Sequence, residues 1–163
     1  SEEIKKSIAE ISNIIWKLNK NSKIIFTVSP VRHLKDGLVE NQLSKANLIS
    51  ALHDYRKEIK PKFDKMTAYF PSYEIVMDEL RDYRFYGKDM IHLSEVAIDY
   101  IWEKFKDSWI DPEVFSVMKE VSTIQKGLDH RPFNEDSPKH REFLDKLSQR
   151  MEKVQHKNPS IKF

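Results

Sequence analysis

The chain has 163 residues, 39% hydrophobic and 33% charged, with a formal charge of +2 and no cysteine. These values fit one ordinary soluble domain with a real core, and they exclude a disulfide scaffold, a cysteine nucleophile and a thiolate metal site. No apolar run approaches the roughly 20 residues of a membrane helix, none at the N-terminus reads as a signal peptide, and three glycines are too few for a Gly-rich phosphate loop.

Residues 1–20 carry Ile4, Ile8, Ile11, Ile15 and Leu18 at three- and four-residue steps. That spacing predicts an amphipathic helix, stopped by Asn19, Asn21 and Ser22. Lys23–Val28 is short and β-branched, the pattern of a strand buried on both faces. Pro30 cannot continue its ladder. A loop is expected from Val31 to Leu43, centred on Asp36-Gly37. Ser44 is the expected N-cap of a helix from Lys45, with Leu48, Ile49, Leu52 and Tyr55 on its apolar face and Pro61 ending it.

Tyr69–Met77 reads as a second strand interrupted by Pro71, and Asp78–Asp89 as an ordered, salt-bridged, aromatic-rich loop. A further helix is expected from Leu93 or Ser94, with Trp102, Trp109 and the pair Phe85-Tyr86 in the core. Asp111-Pro112-Glu113 is a strong helix start, leading into a stripe of Val117, Val121 and Ile124. Arg131-Pro132-Phe133 breaks it. Ser137-Pro138 opens a last helix with Phe143, Leu144, Leu147, Met151 and Val154, and residues 158–163 are expected to fray.

The chemistry-bearing candidate is Asp89-Met90-Ile91-His92. An Asp three residues before a His can aim its carboxylate at Nδ1–H, which fixes the tautomer and leaves Nε2 as a general base for a hydroxyl nucleophile. The same spacing also fits a helix-capping Asp beside a half-buried His. Ser29 ends a buried-type strand at its carboxyl edge, where α/β sheets place ligands. With Arg32 and His33 it is a candidate pocket wall, or else a plain strand-terminal turn. The six histidines show no metal-ligand spacing, so neither a metal nor another cofactor is expected. Acidic residues interrupt every basic run, so no nucleic-acid partner is expected.

Several segments resemble the GSCFA family: Phe26-Thr-Val-Ser-Pro-Val-Arg-His33, Asp36-Gly37, Ser44-Lys-Ala46, the long Tyr69–Tyr86 stretch, Asp89-Met-Ile-His92 and Tyr100-Ile-Trp-Glu-Lys-Phe105. His130-Arg-Pro-Phe133 is similar to its helical tail. The resemblance implies an α/β chain, helix-rich overall: the C-terminal part of a three-layer αβα domain of the SGNH-hydrolase type, with few strands, over residues 1–110. A helical tail packed on it follows over 111–163. It implies a bacterial serine ester hydrolase, of the cytoplasm or the periplasm, acting on small-molecule or acylated-carbohydrate esters. Asp89 and His92 would be the orienting acid and the base of its triad. The chain has His92-Leu93-Ser94 where the family usually reads His-Pro-Ser. It also lacks the name-giving Gly-Ser-Cys-Phe-Ala segment with the nucleophilic serine, so alone it is expected to be inactive. The competing expectation is a non-catalytic helical interaction module or remnant, self-associating through an exposed sheet edge.

Overall fold

A computed structural model describes residues 1–134 and 136–163, with the backbone alone at positions 61 and 62. It is helix-rich, with one parallel pair of strands among the described residues. Contacts divide it into two compact units, Ser1–Phe105 and Lys106–Phe163.

In the first unit, α1 (Glu2–Leu18) packs on α2 (Gly37–Glu58), and Lys5 Nζ bridges them to Glu58 at 2.8 Å. The inward face of α1 is not the stripe that the isoleucine spacing predicts. Ser12 and Trp16 are buried, whereas Ile11 and Leu18 face solvent. The inward ridge runs Ile4-Ile8-Ser12-Trp16, one residue per i+4 step. Ser12 fits there because its hydroxyl donates to the Ile8 carbonyl at 2.8 Å, leaving no unpaired polar group. Trp16 stacks on Phe63, with centroids 4.5 Å apart, and donates its indole N–H to the Ser22 carbonyl.

Strands β1 (Ile24–Phe26) and β2 (Thr67–Tyr69) pair in parallel, Ile24 opposite Thr67 and Phe26 opposite Tyr69. β1 is covered on one face only: Ile25 is exposed between half-buried neighbours. This corrects the expectation of a strand buried on both sides. β2 is also shorter and earlier than Tyr69–Met77. Pro71 has no N–H for a ladder, and the chain beyond it coils. One α-helical turn (α4, Ser72–Glu74) widens into a π-turn over Ile75–Glu79. The Ser72 hydroxyl replaces the lost pairing, contacting the Val28 carbonyl at 2.8 Å and the Thr27 hydroxyl at 2.7 Å.

The expected loop before Ser44 is mostly helix. A 3₁₀ turn, Leu34–Asp36, leads into α2 at Gly37, whose φ of 84° suits glycine. Residues 38–44 hold no breaker, so Ser44 lies inside the helix rather than at its cap. α2 ends at Glu58, short of Pro61, which opens the single turn α3 (Pro61–Asp64). Helix α5 (Glu95–Trp109) follows Ser94, whose carbonyl accepts from Ile98 N. It buries Ala97 against Phe70, Ile75, Val76 and Leu80. Trp102 and Trp109 are 43% exposed rather than core, whereas Phe85 and Tyr86 pack against that cluster. A second cluster joins Val28, Leu52 and Tyr73, and Met77 touches both.

In the second unit, the Asp111 carboxylate caps a 3₁₀ turn, Pro112–Val114, that runs into α6 (Phe115–Leu128). The Ser137 hydroxyl accepts from His140 N at the start of α7 (Pro138–Lys157). Ile124, Leu147 and Val154 form the core between them. Ile161 and Phe163 pack against that core, so the last residues are held rather than frayed. Phe143 and Leu144 lie mostly outside it.

α6 and α7 come close together at Gly127. A Cβ there would stand 2.7 Å from Leu147 Cδ1 and 3.3 Å from Cδ2. Leu147 is buried and cannot move away freely. Gly127→Ala should gain about 1 kcal/mol of helix propensity and lose about 2–3 kcal/mol to overpacking. The net loss of stability is to be read by chemical denaturation. A more stable variant would contradict this packing.

Candidate active site

The candidate site is built on one closed loop, residues 86–93. Tyr86 and Leu93 form an antiparallel bridge at its neck. Inside, Gly87 N donates to the His92 carbonyl at 2.8 Å, and Met90 N donates to the Gly87 carbonyl at 3.0 Å. This turn forces Met90 to φ 61°, the only non-glycine positive φ among the described residues. Such a conformation costs about 1–2 kcal/mol and persists only where surrounding bonds determine it.

Asp89 supplies the largest share of those bonds. Its Oδ1 accepts from Ile91 N at 2.9 Å and from His92 N at 3.0 Å. Its Oδ2 lies 2.7 Å from His92 Nδ1. The His92 bond first, then the two backbone N–H groups, hold the Asp89 carboxyl down at about 2. A carboxylate only accepts, so at neutral pH the proton of the Asp89–His92 bond belongs to Nδ1. In the neutral imidazole Nε2 then carries the lone pair, and it has no hydrogen bond among the described residues. His92 is 67% exposed at its side chain, and Asp89 48%. Because the folded value lies below the ordinary one, the Asp89 contribution to stability is complete above about pH 4. It is lost as the pH falls through about 2.

The three residues proposed as a pocket wall take separate parts. Arg32 reaches the loop: its backbone N donates to the Ile91 carbonyl at 3.3 Å, its Nη1 to the Met90 carbonyl at 3.2 Å, and its guanidinium lies 4.0 Å from the Tyr86 ring centroid. Arg32 also lines two hollows. One, of about 340 Å³, includes Pro30, Gln42, Tyr73 and Tyr83. The other, of about 360 Å³, includes Arg81, Asp82, Tyr83 and Tyr86. Neither lining includes Ser29 or His33. The Ser29 hydroxyl accepts from Val31 N at 3.2 Å, and His33 N donates to Asn41 Oδ1 at 2.9 Å. No hydrogen bond joins Ser29 to His92 among the described residues.

Sequence reasoning missed Lys45. It is 4% exposed, and its Nζ donates to the Ser29 carbonyl at 2.7 Å. Burial pushes its ammonium below the usual lysine value. The available signal was its place three, four and seven residues before Leu48, Ile49 and Leu52, a lysine in an apolar stripe. The charged segment before the loop holds an internal pair and a pair with α5. Arg84 meets Asp82 at 3.1 Å, and Lys104 meets Glu79 at 2.9 Å. Among the described residues, no three His, Asp or Glu side chains gather as a metal site, and no helix is long and apolar enough to cross a membrane.

The strain at Met90 is measurable. Met90→Gly should leave stability unchanged or raise it by up to about 1 kcal/mol, while Met90→Val should lower it by about 1–2 kcal/mol. Equal effects of the two in chemical denaturation would contradict the left-handed backbone at this position.

Residues 1–105 match the model of the GSCFA family, and residues 121–163 match that of the GSCFA domain protein, C-terminal domain. No match was found among curated proteins or among solved structures. The first match covers more than half of the sequence and includes the whole Asp89–His92 loop, and the chain belongs to the GSCFA family.

Proposed function

We propose that the chain supplies the Asp-His part of a serine triad in an ester hydrolase of the SGNH type. The single observation that carries this reading is the 2.7 Å contact between Asp89 Oδ2 and His92 Nδ1 on an exposed loop. Residues 1–110 are, in this reading, the C-terminal part of a three-layer αβα domain, and 111–163 its helical tail. The substrate is a small-molecule or carbohydrate ester. Arg32 and its flanking hollows form one wall of the pocket, with Ser29 and His33 at its edge.

The serine comes from a Gly-Ser-Cys-Phe-Ala segment, which these 163 residues do not contain. Two local serines are poorly suited to replace it. Ser29 is turned to Val31 N, and Ser94 Oγ is buried without a hydrogen bond among the described residues.

Chemically, the hydroxyl oxygen attacks the ester carbonyl carbon while His92 Nε2 takes its proton. The tetrahedral intermediate expels the alcohol, which leaves with that proton. Water then attacks the acyl-serine through the same base and releases the acid. Asp89, a carboxylate down to about pH 2, stays ionised throughout and stabilises the imidazolium formed in each half.

A fluorophosphonate probe tests this. The chain alone should take no stoichiometric serine adduct. The chain extended by the Gly-Ser-Cys-Phe-Ala half of a family member should label at that serine, and His92→Ala should slow labelling by about 10³-fold or more. Labelling that is indifferent to His92 would overturn the reading.

A further inference from the structure

The loop that carries Asp89 and His92 is strained, exposed and short, yet the imidazole must keep one orientation to serve as a base. Its internal bonds fix the turn Gly87–His92, and Tyr86 and Leu93 at its neck pack against the core of the unit. Arg32 adds a second tie, beyond the neck, at Met90 and Ile91. It touches the loop at Tyr86, Met90 and Ile91, with a ring contact of 4.0 Å and donor bonds of 3.2 and 3.3 Å. The Met90 carbonyl that it holds belongs to the residue with the left-handed backbone.

Arg32 is itself held on both sides. Three residues earlier, the Ser29 carbonyl is fixed by buried Lys45 of α2, and one residue later, His33 N is fixed by Asn41 of the same helix. No carboxylate is paired with Arg32 among the described residues. Its guanidinium is occupied by a backbone carbonyl and an aromatic face. The guanidinium serves both contacts at once through a planar fork of directed donors, whereas a lysine ammonium has a single nitrogen and lacks that fork.

We propose that Arg32 is the positioning residue of the Asp89–His92 pair, clamping loop 86–93 to the exit of β1 so that the imidazole keeps a single rotamer. This rests on the reading of Asp89 as orienter and His92 as base, and it adds a mechanical role to a residue otherwise seen only as pocket wall. The backbone bond from Arg32 N survives substitution, so side-chain variants isolate the guanidinium contacts.

The test is NMR on the full chain with Arg32→Lys, Arg32→Met and Asp89→Ala. It reads amide exchange at Ile91 and His92, the His92 χ1 couplings, and global stability by denaturant. Both Arg32 variants should speed exchange at Ile91 and His92 about tenfold or more and turn the His92 couplings from single-rotamer to averaged values. Exchange at Ile24 and Phe70, whose amides donate to Met66 and Phe26 across the strand pair, should not change. Arg32→Lys keeps the charge, so a change confined to Arg32→Met marks an electrostatic effect and overturns the clamp. Wild-type exchange and couplings in both variants, with or without a drop in global stability, overturn it as well. Asp89→Ala separates the two readings: if it leaves the His92 couplings unmoved, the Asp-His pair itself is refuted and the clamp falls with it.

Discussion

The Asp89 carboxylate accepts two backbone N–H groups on one oxygen and meets the His92 ring on the other. The same group therefore shapes the turn and aims the imidazole. Three donors around one carboxylate are what hold its ionised form down to about pH 2. That ionisation in turn decides where the imidazole proton sits. The left-handed Met90, the closed neck at Tyr86 and Leu93, and the contacts from Arg32 all follow from keeping this turn in one shape. Because the pair is largely exposed, its bonds are screened by water and add little to global stability. Their consequence lies in geometry.

The supporting layer is unusually economical. A parallel pair of three-residue strands is too small to stand alone, and here it is covered by α2 and by the coiled segment after Pro71. Ser72 carries the chain across the break, its hydroxyl taking the Val28 carbonyl where a proline cannot offer an N–H. Buried Lys45 does the same service one residue further along, satisfying the Ser29 carbonyl beyond the end of β1. These two polar side chains let the backbone leave the sheet without orphaned groups, and they set the place from which Arg32 reaches the loop.

Much of this was legible in the sequence where local chemistry decides the outcome. Asp111-Pro112 and Ser137-Pro138 start helical turns by capping and fixed φ, and both do so in the structure. Asp89 and His92 stand three residues apart on a loop, and their side chains meet. The failures fall where tertiary contacts decide. Tyr73–Met77 has strand-like composition, yet it coils, because Pro71 removes the ladder donor and Ile75, Val76 and Leu80 fill one core when helical. Ile11 and Leu18 share the period of Ile4 and Ile8 but lie off the ridge that meets α2. Residues 38–44 were read through Asp-Gly as loop, and that dipeptide instead begins the helix. Lys45 and Arg32 gave no sign of their partners, since both bond to backbone carbonyls remote in sequence.

The account turns on one proton. In solution a neutral histidine side chain favours the Nε2–H tautomer, and only a partner on Nδ1 reverses that preference. The ¹⁵N spectrum of His92, recorded above its titration and assigned with His92→Gln, reads the tautomer directly. The account predicts the Nδ1–H form in the native chain and a return to mostly Nε2–H in Asp89→Ala. An Nε2–H imidazole in the native chain would contradict it, because the nitrogen required as the base would already hold the proton.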